Sequence, residues 1–127
     1  MNPTSKEPTK ESTMHLATIR IHDTFVLSFS CRRLDEETGA EMLTIVKSCV
    51  SQGARTVVLD FGPFTSVDFG GARALEEAAE KVGSHRGLVA AGLNARARAL
   101  LRSLRLVDRV RLVEWWADAV TPGVMAA

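Results

Sequence analysis

Catalysis needs nucleophiles, acid–base groups or metal ligands at spacings that let them converge. In this chain of 127 residues such groups are few and scattered. His15, His22 and His85 fall in a tail, a turn and a loop, with no nucleophile or carboxylate at a telling spacing. Asp60 and Asp68 close a strand and a loop and are candidates for neighbours, but two aspartates define no acid–base site without a cleft. Cys31 and Cys49 are the only cysteines, each within or beside an apolar segment. Isolated thiols with no histidine pair do not make a zinc site, so both are read as reduced, packed side chains. There is no phosphate-binding P-loop and no dinucleotide fingerprint. No enzyme, metal or cofactor is expected.

Other residues suit recognition. Asp68 precedes a helical pattern and fits an N-cap, accepting from the amide of Gly70 or Gly71. Gly70-Gly71 leaves a helix start uncovered; it either attracts an anion or merely permits a tight entry turn. Arg98, Arg102, Arg105 and Arg109 fall at helical spacing, with Arg96 and Arg111 near. A helix reaching that far would carry a basic stripe, either a solvated face or a contact for an anionic partner. Trp115 and Trp116 are adjacent, so one packs inward and the other is a candidate contact for a second copy.

These residues are positioned by a chain with one domain's length, 46% apolar and 24% charged residues, and a formal charge of +1. A chain this long buries roughly two-thirds of its unfolded surface and needs no staple. The near-neutral balance argues against nucleic acid as a partner. Residues 1–14 are rich in Pro, Ser, Thr, Lys and Glu and read as a flexible tail. They lack the apolar run of an export signal, and no stretch approaches a membrane span, so a cytoplasmic location is expected.

From Leu16 to Ile21 apolar and polar residues alternate, predicting a strand with one apolar face. A short polar turn and a second strand, Phe25–Ser30, complete a hairpin. Asp35 or Thr38 caps a helix with Leu43, Val46 and Val50 at its centre, ended by Gly53. Thr56–Leu59 reads as a strand buried on both faces. A second helix starts near Gly70 with Ala72, Leu75, Ala79 and Val82 inward, and Gly83 closes it. A strand, Leu88–Ala91, leads to Asn94, which caps a third helix with Ala97, Leu100, Leu101 and Leu104 inward. A short strand at Val110–Val113 and a last helix over Glu114–Val120 end the pattern. The order predicts an α/β domain over residues 15–121, with a mixed sheet, an N-terminal hairpin, parallel βαβ crossovers and a short tail over 122–127.

With its landmarks in order, the segment from Leu16 to Val120 resembles the STAS family, named for sulphate transporters and anti-sigma-factor antagonists. The landmarks are the turn Cys31-Arg32-Arg33-Leu34-Asp35, the strand Val57-Val58-Leu59-Asp60, the loop Asp68-Phe69-Gly70-Gly71, and the helix from Arg96 to Leu106. The resemblance implies a STAS-like single domain that binds another protein. Its partners would be a kinase-fold anti-sigma factor or other STAS proteins, through Thr65, Ser66, Asp68, Phe69, Gly70 and Gly71. In phosphoregulated members the loop reads Asp-Ser-Ser-Gly and its second serine takes the phosphate. Gly70 stands there in this chain, so the usual switch cannot operate. Such a regulator would be constitutively active or governed by the abundance of its partner. Thr65 and Ser66 are then either alternative phosphoacceptors or residues bonded to backbone. Phe69, on a turn that the family exposes, is either an interface anchor or a filler beside Val67. Alternative roles are a scaffold subunit of a stress-sensing complex or the soluble STAS subunit of an ABC-type lipid transporter.

Overall fold

The computed structural model describes residues 15–30, 32–83, 87–117 and 119–120, without the side chains of residues 62–65. Cys31, His85 and the two segments read as tails lie outside the described residues. Strands β1 (His15–Ile21), β2 (Thr24–Phe29), β3 (Arg33–Leu34), β4 (Thr56–Val67), β5 (Leu88–Leu93) and β6 (Val110–Val113) form a mixed sheet. Helices α1 (Glu36–Ser51), α2 (Phe69–Val82) and α3 (Ala95–Ser103) alternate with them. None of the described helices is long and apolar enough to cross a membrane.

The strands lie in the order β1-β2-β4-β5-β6, with β3 beside the far end of β4. Only β1 runs antiparallel to its neighbour, in a hairpin that turns at His22 and Asp23. From β2 onward each crossover steps one strand in the same direction, through α1, α2 and α3 in turn. Right-handed crossovers that all advance one way deliver their helices to a single face. Phe25, Leu27, Val57, Leu59, Leu88 and Ala90 form that face and pack against Met42, Val46, Leu75, Ala78 and Leu101. Each large apolar side chain fully buried there contributes roughly 1.5–3 kcal/mol. The opposite face presents Val26, Val58 and Val89. Trp116, Ala119 and Val120 cover them. This explains why Val57-Val58-Leu59 is continuously apolar: its side chains alternate between two dry faces.

Side-chain caps at Asp35, Asp68 and Asn94 fix the first turns of all three helices. Asp35 accepts from the Thr38 amide at 3.0 Å while the Thr38 hydroxyl accepts from the Asp35 amide at 2.9 Å, a reciprocal capping box. Both residues named as alternatives thus take part, Asp35 as the cap. The two hydrogen bonds from Thr38 hold the Asp35 carboxyl below the usual carboxylate range. Gly53 and Gly83 follow α1 and α2 in left-handed conformations that glycine adopts without strain.

Several sequence expectations shift. β1 is an edge strand with no buried side chain, and Leu16 and Ile19 are exposed, because nothing described packs outside it. The buried stripe of α1 runs through Gly39, Met42, Val46 and Cys49, leaving Leu43 and Val50 half-buried beside it. Burial raises the Cys49 thiol. β4 does not stop at Asp60 but runs twelve residues to Val67. A proline within a strand is tolerated at a bulge, and the register of β4 shifts between Asp60 and Thr65, around Pro63. The last helix starts later than Glu114, since Glu114 and Trp115 bend and the helical residues begin at Ala117.

Candidate partner-binding site

Two strands set the site. β3 pairs in parallel with the end of β4, Arg33 opposite Ser66 and Leu34 opposite Val67. The Asp68 amide then donates to the Leu34 carbonyl at 3.1 Å. Both strands therefore release their chains at one level, and α1 and α2 begin side by side. Asp68 caps α2, accepting from the Gly71 amide at 2.9 Å. Gly70 and Gly71 fit here for a steric reason. A β-carbon on Gly71 would overlap the carbonyl of Leu34, and one on Gly70 would lie 3.1 Å from the Glu36 nitrogen and Cβ. Further along, a β-carbon on Gly39 would stand 2.5 Å from the Ala74 Cβ, so the two helices touch almost backbone to backbone.

This packing gathers residues from distant parts of the sequence. Asp35, Glu36 and Glu37 of the α1 start meet Asp68 around Gly70. An open groove runs on from there, lined by Ala40 and Leu43 on one side and Arg73, Ala74 and Glu77 on the other. Phe69 stands at its head with 60% of its surface exposed, so it does not fill space beside Val67. Asp35, Glu36 and Glu37 carried no signal of site membership in the sequence. They join the site only because β3, too short to read as a strand, pairs with β4.

Of the hydroxyls near the turn, that of Ser66 is bonded to backbone, one of its two expected readings, but from a strand. Thr65 and Ser66 belong to β4, not to a loop, because pairing with β3 prolongs the strand. The Ser66 amide and hydroxyl both donate to the Arg32 carbonyl, at 3.0 and 3.4 Å. The Thr65 side chain lies outside the described residues.

No arginine stripe forms. α3 ends at Ser103, and Arg105 is left-handed at φ 61°, which turns the chain away. Arg98 points back to donate to the Leu93 carbonyl at 2.9 Å. Arg109 crosses to α2, 3.6 Å from Glu76 and 3.5 Å from Glu80. Arg102 and Arg105 remain exposed but no longer share a helical face with Arg109. Trp116 packs on the back face, whereas Trp115 is 60% exposed, and their rings lie 6.1 Å apart.

Asp60 and Asp68 do not meet. Seven residues of nearly continuous strand lie between them, eight steps that span up to roughly 26 Å at the usual strand rise. Asp60 lies beside Ser28 in the sheet, where burial raises its carboxyl and the Ser28 hydrogen bond partly offsets this. Among the described residues no three metal-ligating side chains come together.

No protein-family model and no curated protein matches the chain. Solved structures do. An anti-sigma factor antagonist from Mycobacterium paratuberculosis is similar with a TM-score of 0.70 at 20% identity, over 88% of this chain and 94% of that one. The anti-sigma factor antagonist SpoIIAA in its unphosphorylated form gives a TM-score of 0.58 at 12% identity, over 89% of this chain and 99% of that one. The fold is the STAS fold of the anti-sigma-factor antagonists.

Proposed function

We propose that this chain is a cytoplasmic protein-binding regulator of the anti-sigma-factor-antagonist kind, not an enzyme, and that it docks through the turn Asp68–Gly71. Its partner is a kinase-fold anti-sigma factor. With glycine at position 70 it is not switched by serine phosphorylation there, and the amount of free partner governs it. The observation that carries this reading is Phe69: a large aromatic ring left in water at the start of α2, beside a groove with an apolar floor. Rings in such positions commonly anchor interfaces.

Calorimetric titration with the kinase-fold anti-sigma factors of the same genome tests the reading. The parent chain binds one of them, and Phe69→Asp weakens that binding by about tenfold or more while its unfolding temperature is unchanged. Binding to none of them, or equal binding by the variant, overturns it.

The exposure of Trp115 favours a second reading, in which the domain packs against sibling STAS copies as a scaffold. A monomer mass independent of concentration in light scattering, alone and mixed with those siblings, would refute that role.

A further inference from the structure

The groove between α1 and α2 has an apolar floor and an anionic rim. Ala40 and Leu43 face Ala74 across the floor. Around its head and walls stand five carboxylates: Asp35, Glu36, Glu37, Asp68 and Glu77. Among the cations, Arg33 lies 3.9 Å from Asp68 and Arg73 stands on the wall. Helix N-termini ordinarily attract anions. Both of these are already supplied, since Asp35 and Asp68 accept the amides of their own first turns. Glu36 and Glu37 add charge beyond that need; they are exposed and pair with no cation among the described residues. An approaching phosphate or acidic segment meets net repulsion here, and a cation meets attraction. Because Gly70 carries no side chain, the head of the groove stays open between Glu36 and Asp68.

We propose that this groove receives a basic amphipathic segment of the protein partner. Its apolar side chains lie against Leu43, Ala74 and Phe69, and an arginine or lysine reaches over Gly70 among the carboxylates. The inference rests on the reading of the α2 turn as the docking face and adds the chemistry of the surface it meets.

Two peptides of one amphipathic design provide the probe, with leucine on one face and either arginine or glutamate on the other. Each is titrated into the isotope-labelled full chain while amide resonances are followed. The arginine peptide is expected to shift the amides of Glu36, Ala40, Gly70 and Ala74, and the glutamate twin to leave them in place. Affinity for the arginine peptide should fall about tenfold or more on raising salt from low concentration to about 0.5 M. The double variant Glu36→Gln, Glu37→Gln keeps side-chain size and should bind about tenfold more weakly with an unchanged unfolding temperature. The salt series on the parent chain needs no variant and stands if the double variant misfolds. Equal shifts from both peptides, shifts elsewhere, no shifts, or an affinity insensitive to salt overturns the proposal. A kinase-fold factor that binds with no salt dependence removes this inference and leaves the docking reading intact. Binding of the arginine peptide with no kinase-fold factor binding at all does the reverse.

Discussion

At Gly71 a β-carbon would collide with the carbonyl carbon and oxygen of Leu34, backbone atoms that cannot swing aside. Alanine is the better helix former by about 1 kcal/mol, so propensity alone would favour Gly71→Ala. The collision decides the sign. The variant is expected to lose at least about 2 kcal/mol, a drop of roughly 8 °C for a domain of this size. Gly70 faces a milder constraint, with the nearest atoms of Glu36 at 3.1 Å. Gly70→Ser should therefore fold and stay within about 1 kcal/mol of the parent, since reduced backbone freedom offsets the crowding. Thermal unfolding of the two variants side by side checks both; equal midpoints would mean that the Leu34 carbonyl yields. Neither requirement can be read from a Gly-Gly pair in a sequence, which is equally compatible with a tight turn or an anion site. The steric partner of each glycine lies more than thirty positions away.

The start of α1 shows the opposite case, where local spacing carries nearly the whole answer. Asp35 and Thr38 sit three apart, the separation at which each side chain reaches the other's amide. Asp35→Ala should cost about 1 kcal/mol at neutral pH. Its carboxyl titrates below the usual range when folded, so that stability is fully present above the unfolded-state value of about 4. It disappears as pH falls through the folded value. Melting curves of parent and Asp35→Ala, taken across the acid range, should converge at the acid end; a constant offset would contradict the capping role. Other elements were hidden from local reading. β3 is two residues long and exists through its partner strand, and β4 continues past a proline because neighbours on both sides hold it. α1 carries apolar residues on more than one face, so its inward direction was settled by the close approach of α2 at Gly39, not by periodicity. The end of α3 turned on the left-handed Arg105, a conformation arginine's composition does not announce. Of the candidate site, the turn Asp68–Gly71 was legible as a helix entry. The acidic half contributed by α1 was not, because sheet pairing alone brings it there.

Across the whole molecule the single direction of winding leaves one sheet face to be closed by the end of the chain. Trp116 lies on Val26, Val58 and Val89 there, while Trp115 next to it faces water. Trp116→Ala is expected to cost about 2 kcal/mol and Trp115→Ala no more than about 0.5 kcal/mol. Urea unfolding distinguishes them, and a larger loss at Trp115 would reverse the assignment of the two rings. On the other face, the approach of Gly39 to Ala74 has a kinetic meaning. Helices in contact at this range interlock, and sliding one along the other would drive a β-carbon into backbone. The shared surface of α1 and α2 is accordingly a fixed template that a partner meets ready-made. Its encounter should follow simple second-order kinetics, with no lag for rearrangement on this side, and any slow step must belong to the molecule that arrives.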